Sequence, residues 1–325
     1  MIKTLSRRAI MAAPLAAALT LGVALPGALA EYPDKPVRII VPTQAGGGMD
    51  TVARILQKYN DETNFIGNKI VVINKPGAGG TIATRTIAES DSDGYTIGFW
   101  HEGLITSKVM GVVDYDHTAF EVLGATGYGE LGLGVSKDSA IKSFQDLIDN
   151  AKATPESVKV ATNVGLPVHF VPLMVEKAAG VQFKFVQVGG GAKRFPSVVA
   201  KHTDTAIFGA SEFIKWADAD LVPVVMFSEK RLDLLPDVPT ARELGFDVLA
   251  RANRIWLAPK GTPKEITEHI SSALKTAMAD PQVKKQFEEL GLIPDFVAPD
   301  TLKAELDDWK ARAEPLVDKA MELKK

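Results

Sequence analysis

A short buried strand followed by a glycine-rich turn and then a helix recurs along this sequence, and this repetition constrains the fold most. The first unit opens with the β-branched run Val37–Val41, turns through residues 42–48, and continues with apolar residues at helical spacing. The second has a strand over residues 70–73 and a turn over residues 74–80. A third glycine run, at residues 189–191, again follows a predicted strand. Strands that alternate with helices predict an α/β fold with a mostly parallel sheet.

Length and composition narrow the possible functions. The chain has 325 residues, and at roughly 100–200 residues per domain this length predicts two domains. With 37 basic and 40 acidic residues its net charge is -3, so it lacks the basic excess expected of a nucleic-acid-binding protein. Cysteine is absent, which excludes disulfides, thiolate metal sites and a cysteine nucleophile.

The N-terminus has the pattern of a secretory signal peptide. Three basic residues within residues 3–8 precede an apolar stretch over residues 9–25, and the small residues of Ala28-Leu29-Ala30 follow. An uncleaved membrane anchor is the alternative, but Pro14 interrupts the apolar stretch early. We therefore expect residues 1–30 to be a signal peptide that is removed after export, and the mature chain to be soluble in the periplasm.

The sequence offers little catalytic machinery. No two of its five histidines are three or four residues apart; they are His101, His117, His169, His202 and His269. His101-Glu102 does not begin the HExxH pattern of zinc proteases, because Ile105 stands at the position of the second histidine. We expect no enzyme activity, no cofactor and no metal. A periplasmic hydrolase that uses a scattered Ser–His pair stays an alternative.

The first two glycine-rich turns are candidates for binding an anion. Each joins a strand to a helix, where free backbone N–H groups carry a partial positive charge. Two such turns on neighbouring strands would bind an anion without lysine or arginine. The alternative is that the glycines only permit tight turns. Neither turn matches a nucleotide-binding fingerprint, since residues 77–82 read GAGGTI and no Gly-Lys-Ser/Thr is present.

Five motifs, in the same order, resemble those of the tripartite tricarboxylate transporter substrate-binding proteins. They are residues 32–42 (YPDKPVRIIVP) with 46–50 (GGGMD), 74–82 (NKPGAGGTI), 93–96 (DGYT), 235–240 (LPDVPT) and 257–263 (LAPKGTP). The resemblance covers nearly the whole mature chain. It implies an α/β, two-lobed periplasmic binding protein of type II-like fold, with a mostly parallel sheet and flanking helices in each lobe and a cleft between the lobes.

The resemblance also implies a function. Such a protein captures a small organic carboxylate, a di- or tricarboxylate or an aromatic carboxylate, and delivers it to the membrane permease subunits of its transporter. We expect a monomer that binds no nucleic acid and is not itself embedded in the membrane. Lobe 1 is predicted over residues 31–131 and 253–325, and lobe 2 over residues 132–252. A sensory adaptor that presents the bound ligand to a membrane kinase is an alternative.

Relatives hold one carboxylate through the first two glycine-rich turns, by backbone N–H groups and bridging waters. Carried over, the resemblance places ligand contacts at Thr43, Gln44, Gly46, Gly47, Gly48, Ala78, Gly79, Gly80 and Thr81. Further candidates are His101, Asn163, Gly165, His169, Gly190, Arg194 and Ser211. His101 is interpreted as a donor to the ligand's polar end or as a packing histidine, and Arg194 as a partner of a distal acid group or a solvated helix residue. Leu166 stands where relatives often have a small hydroxyl residue, which indicates a ligand with an apolar body.

Overall fold

The computed structural model describes residues 32–323, so the predicted signal peptide lies outside the described residues. The N-terminal part forms strands and helices in alternation, as predicted. They are β1 (Val37–Val41), α1 (Gly48–Thr63), β2 (Ile70–Asn74), α2 (Thr81–Ala88), β3 (Thr96–Trp100), α3 (Gly103–Val109) and the long β4 (Phe120–Ser136). Strand β1 lies between β2 and β3, and all three run parallel. Their carboxyl ends therefore meet at one edge of the first sheet, which we call the carboxyl edge.

A second sheet with its own helices follows. Its elements are α4 (Phe144–Ala153), β5 (Lys159–Thr162), α5 (Pro167–Ala179), β6 (Lys184–Gln187), α6 (Gly191–Val199), β7 (Thr205–Gly209), α7 (Ala210–Lys215) and β8 (Leu221–Met226). Strand β5 lies between β6 and β7, all parallel. Helix α4 starts with the predicted capping box, in which the Ser143 hydroxyl accepts from the Asp146 N–H and the Asp146 carboxylate accepts from the Ser143 N–H.

The remaining elements return to the first sheet. They are β9 (Arg251–Pro259), α8 (Lys264–Ala279), α9 (Pro281–Glu289), β10 (Ile293–Val297), α10 (Pro299–Ala313) and α11 (Val317–Glu322). The sequence Thr262-Pro263 predicts a helix that begins at Pro263 with Thr262 as its cap. Helix α8 instead begins at Lys264, and the Thr262 hydroxyl donates to the Pro259 carbonyl at 2.8 Å. Within residues 32–323, no helix is both long and apolar enough to cross a membrane.

Strands β4 and β9 connect the two lobes. The first part of β4 pairs with β9 up to Glu130, and from Leu131 onward β4 pairs with β7 and β8 of the second sheet. Each lobe therefore has a mixed sheet: its three outer strands are parallel, as expected, but the crossing strands pair antiparallel. The physical reason is that the chain must cross to the second lobe and return. The proposed lobe boundaries stay a prediction, which this pairing supports.

The last two helices contact both lobes. Lys310 of α10 forms an ion pair with the buried Asp116 of the first lobe at 2.7 Å. Lys319 of α11 reaches the buried Glu176 of α5, in the second lobe, at 2.6 Å. Residues 299–322 therefore contact both lobes. They span the region where β4 and β9 cross between the lobes, which we call the hinge.

Candidate functional site

Asp50 organises the first glycine-rich turn. Its carboxylate accepts hydrogen bonds from the Gly46 N–H at 2.8 Å, from Arg54 Nε at 2.9 Å and from Asn74 Nδ2 at 2.9 Å. Burial alone would raise the pKa of Asp50, but these hydrogen bonds outweigh it and hold the pKa below its ordinary value. As an acidic residue in the first turn of α1, Asp50 interacts favourably with the helix dipole. In the structure it also ties the first turn to the end of β2.

These bonds leave particular groups of the first turn free. The Gly46 and Gly47 N–H groups are used inside the turn, by Asp50 and by the Gln44 carbonyl. The N–H groups of Gly48 and Met49, at the start of α1, donate no hydrogen bond within residues 32–323. The buried Thr43 hydroxyl likewise has no partner among the described residues. The Asp50 N–H has no partner among the described residues either, so the first turn offers three backbone donors at the start of α1 and one hydroxyl.

The second turn has an unusual backbone. Residues 77–80 all have positive φ, with 45° at Ala78 and 92° at Gly80. The Gly80 and Thr81 N–H groups donate to the Gly77 and Ala78 carbonyls, whereas those of Ala78 and Gly79 donate to no described residue. A Cβ added at Gly80 would lie 2.5 Å from the Trp100 ring. The turn therefore packs directly on the last residue of β3, and only glycine fits there.

His101 is a neutral hydrogen-bond donor. Its Nδ1 accepts from the Gly103 N–H at 2.8 Å, so its proton is on Nε2, and its ring stacks on Trp100 with 3.9 Å between ring centroids. Burial, with a smaller contribution from the positive charge of Arg254, lowers the pKa of His101 to about 3. The Glu102 side chain points away from His101. It binds Asn253 Nδ2 at 2.8 Å, and the Gly103 N–H, not Glu102, fixes the histidine tautomer.

Arg254 is the cation that we place at this site. Ile255 of β9 pairs with Trp100 of β3, so Arg254 lies level with His101 at the carboxyl edge. Its Nη1 donates to the Ala252 carbonyl at 2.6 Å, and its buried Nε has no partner within the described part of the chain. Burial lowers the pKa of Arg254 to about 10, so it stays charged at neutral pH.

The second lobe faces these groups with the loop before α5. A Cβ added at Gly79 would lie 3.6 Å from Leu166 Cδ2, and one added at Gly165 would lie 3.7 Å from Met110. The Asn163 side chain, in the same loop, accepts from Gln187 Nε2 at 3.2 Å. The cleft between the lobes is therefore narrow beside the second glycine-rich turn. Leu166 gives it an apolar wall.

His169 is buried below this loop. Its Nδ1 accepts from the Gly165 N–H at 3.3 Å, and its buried Nε2 has no partner among residues 32–323. It contacts the Phe185 ring edge-on, with 5.2 Å between centroids. Burial lowers the pKa of His169 to about 4. The side chain thus supports the loop from inside, and a ligand contact by His169 stays a prediction.

We expect His169 to make stability depend on pH. Its folded pKa of about 4 lies below its unfolded value of 6.5, so the unfolded state binds the extra proton. The stability is fully present above about pH 6.5 and is lost as the pH falls toward 4. At pH 5 the loss is about 2 kcal/mol relative to pH 8. Urea unfolding at both pH values should show a smaller loss for His169→Gln than for the wild type. The exposed His202→Gln should match the wild type, and an equal loss in all three would contradict this account.

The other predicted residues of the second lobe lie apart from the first-lobe groups. Arg194 is buried, and its guanidinium donates to the Gly189 carbonyl at 2.8 Å and the Ile207 carbonyl at 3.1 Å. Gly190 is the exposed residue before α6. Ser211 packs against Gly291, where an added Cβ would lie 2.5 Å from the Ser211 Cβ. Arg194 therefore fixes the third glycine run to β7, and ligand contacts by these three residues stay predictions.

The fold defines a class of protein. A TctC solute-binding protein from Polaromonas superimposes with a TM-score of 0.76 at 23% identity, over 89% of this chain and 99% of its own. The periplasmic binding protein BugD superimposes with a TM-score of 0.73 at 28% identity, over 89% and 98% of the two chains. The chain thus has the two-lobed fold of periplasmic solute-binding proteins, as its sequence predicted.

The sequence comparison gives the family. Residues 52–321 match the model of the tripartite tricarboxylate transporter family receptors. A protein from the TAR-I ttuE-ttuC' intergenic region of Agrobacterium vitis is 32% identical over 295 residues, which is 87% of this chain and 82% of that protein. The chain therefore belongs to the tripartite tricarboxylate transporter family of receptors, which confirms the resemblance of its motifs.

Proposed function

We propose that this protein captures a small organic carboxylate in the cleft, with one carboxylate group held at the carboxyl edge of the first lobe. The observation that carries the proposal is the set of unused donors there. The backbone donors are the N–H groups of Gly48, Met49, Asp50, Ala78 and Gly79. These donors lie in the turns that follow the neighbouring strands β1 and β2. Asn74, at the end of β2, donates to the Thr43 carbonyl at 3.0 Å and so links the two turns. An oxyanion satisfies such donors and interacts favourably with the helix start.

Three side chains complete this carboxylate-binding site, which we call the carboxylate seat. The Thr43 hydroxyl and the His101 Nε2–H are neutral donors, and Arg254 supplies the positive charge. Because Arg254 is half-buried beside a neutral histidine, a carboxylate there would form a charge-assisted hydrogen bond that is partly shielded from water. Gly46, Gly47, Gly80 and Thr81 then shape the turns without donating to the ligand, since their N–H groups are already used.

Binding is expected to close the lobes. A ligand in the seat would contact the loop at Gly165 and Leu166, and a ligand that touches both lobes favours the closed state by its differential affinity. In this proposal the signal peptide directs the protein to the periplasm and is then removed, and the mature protein delivers the carboxylate to a membrane permease. The name of its family, receptors of tripartite tricarboxylate transporters, supports this role.

A calorimetric titration tests the proposal. The chain from Glu31 onward is unfolded and refolded to remove any copurified ligand, and is then titrated with citrate, C4 to C8 dicarboxylates, benzoate and amino acids. We expect one carboxylate class to bind. Thr43→Val should lower the affinity for that acid about tenfold, because one hydrogen bond is lost and the valine methyl occupies its place.

Thr276→Val is the matched control, because Thr276 is exposed on α8 and its hydroxyl bonds only to the Ser272 carbonyl. It should bind the acid as the wild type does. Equal affinities of Thr43→Val and the wild type would remove Thr43 from the seat. A refolded wild type that binds none of these acids would contradict the proposed function.

A further inference from the structure

A separate cavity of about 470 Å³ lies at the hinge. Its walls are formed by the residues after β8, the start of β9 and helix α10. Glu102, just before α3, and Glu130 of β4 complete the lining. This volume lies within the range of small-molecule sites. Trp309, Leu306 and Phe227 give it an apolar part. It is not the carboxylate seat, since neither glycine-rich turn lines it.

The charges around the cavity are unequal. Two arginines line it, and each already has an acidic partner: Arg251 binds Glu305 at 2.5 Å, and Arg312 binds Asp308 at 2.9 Å. Glu102 and Glu130 form no ion pair among the described residues, and they are only 2% and 9% exposed. Arg251 lies close enough to both to interact electrostatically with them. The lining of the cavity therefore has five carboxylates and two cations, and the two buried carboxylates are those without an ion pair.

Two acceptors on its wall are unused. Asn253 is 3% exposed, and its buried Oδ1 has no hydrogen-bond partner within the described chain. The Glu130 carboxylate, too, accepts no hydrogen bond from residues 32–323. A buried acceptor without a donor costs about 1–3 kcal/mol, so a ligand that donates to Asn253 Oδ1 would recover stability here. The groups missing from the cavity are an N–H donor and a positive charge.

We propose that this hinge cavity binds a small organic ammonium, with its charged head at Glu130 and Asn253 Oδ1 and its hydrocarbon part against Trp309 and Leu306. An ammonium has three donors and no acceptor, which matches these groups. A metal ion fits less well, because the described residues contain no group of three or more His, Asp or Glu that could hold one. This site goes beyond the carboxylate seat and does not depend on it.

The ionisation of the two carboxyls makes the proposed binding depend on pH. Burial raises the pKa of Glu102 and of Glu130 to about 7 each, so protons compete with the ammonium for them. The other charged groups facing these carboxyls are Arg251, Arg254, Arg312, Glu229, Glu305 and Asp308. Binding of an ammonium should therefore be stronger at pH 8 than at pH 6, where Glu130 is largely protonated.

The test is a titration of the refolded chain with n-hexylamine, and with 1-hexanol as the uncharged probe, at constant ionic strength. We expect the amine to bind and raise the unfolding midpoint, and the alcohol to bind at least about tenfold more weakly, because it lacks the charge. Glu130→Gln keeps the shape of the side chain and removes its charge. It should weaken amine binding at least about tenfold.

Two controls locate the site. Glu121 lies on β4, like Glu130, but does not line the cavity. Glu121→Gln should therefore bind the amine as the wild type does. Thr43→Val should also do so, because it changes only the carboxylate seat. Absence of amine binding, equal binding of amine and alcohol, or an unchanged affinity in Glu130→Gln would each overturn the proposal. Carboxylate binding is measured on the same samples, so failure of one site is distinguishable from failure of the other.

Discussion

Gly80→Ala should lower the free energy of unfolding by about 2–5 kcal/mol and abolish carboxylate binding. Two effects add at this residue. Its φ of 92° is unfavourable for alanine, and the new Cβ would lie 2.5 Å from the buried Trp100 ring. Trp100 cannot move freely, because His101 stacks on it. The second turn would shift, and with it the Ala78 and Gly79 donors. Urea unfolding and calorimetry of the same sample measure both consequences.

Gly180→Ala separates backbone strain from steric overlap. Gly180 also has a positive φ, of 66°, but no atom lies within 4 Å of the position of its Cβ. We expect a loss of only about 1 kcal/mol there, with carboxylate binding unchanged. Equal losses in the two variants would show that Trp100 does not constrain the turn. Normal ligand binding by Gly80→Ala would contradict the proposed role of the second turn.

Arg254→Met should weaken carboxylate binding about 10–100-fold while the protein stays folded. Methionine has a similar length but no charge, so the variant removes the cation of the seat and keeps much of its packing. In Arg254→Met the bound carboxylate would lose its cation, and a carboxylate left unpaired in the cleft is costly. The affinity from calorimetry and the unfolding midpoint without ligand are the two readouts.

Arg194→Met should show the opposite pattern. Its guanidinium holds the Gly189 and Ile207 carbonyls inside the second lobe, and removing it leaves both without that donor. We expect a loss of about 2–4 kcal/mol in unfolding free energy, with a smaller change in affinity. If Arg194→Met instead loses binding at unchanged stability, Arg194 contacts the ligand, as the interpretation of a distal acid group predicts.

Much of the fold follows from local sequence signals. The strand, turn and helix units around β1 and β2 are correct to within a few residues, because their apolar spacing and glycines act locally. The first half of β4 was not predicted. It contains Gly124, Gly127 and Gly129, which weaken any strand pattern. Its strand conformation is imposed by pairing with β9 and β10, which are distant in sequence.

Local sequence likewise predicts some parts of the candidate site and not others. The glycine-rich turns were recognisable as anion-binding turns, since a helix start always presents free N–H groups. Which N–H groups stay free was not predictable. Asp50 consumes the Gly46 donor, and the Gln44 carbonyl consumes that of Gly47. Arg254 joins His101 only because β9 pairs with β3, a contact between segments about 150 residues apart that no local pattern indicates.

The most direct test of the central claim is a crystal structure of the refolded protein with the acid that binds it best. This account predicts a carboxylate group within hydrogen-bond distance of the Gly48 and Gly79 N–H groups and the Thr43 hydroxyl, with Arg254 beside it and Leu166 against the ligand's body. A carboxylate bound elsewhere, with both glycine-rich turns left free, would contradict the account.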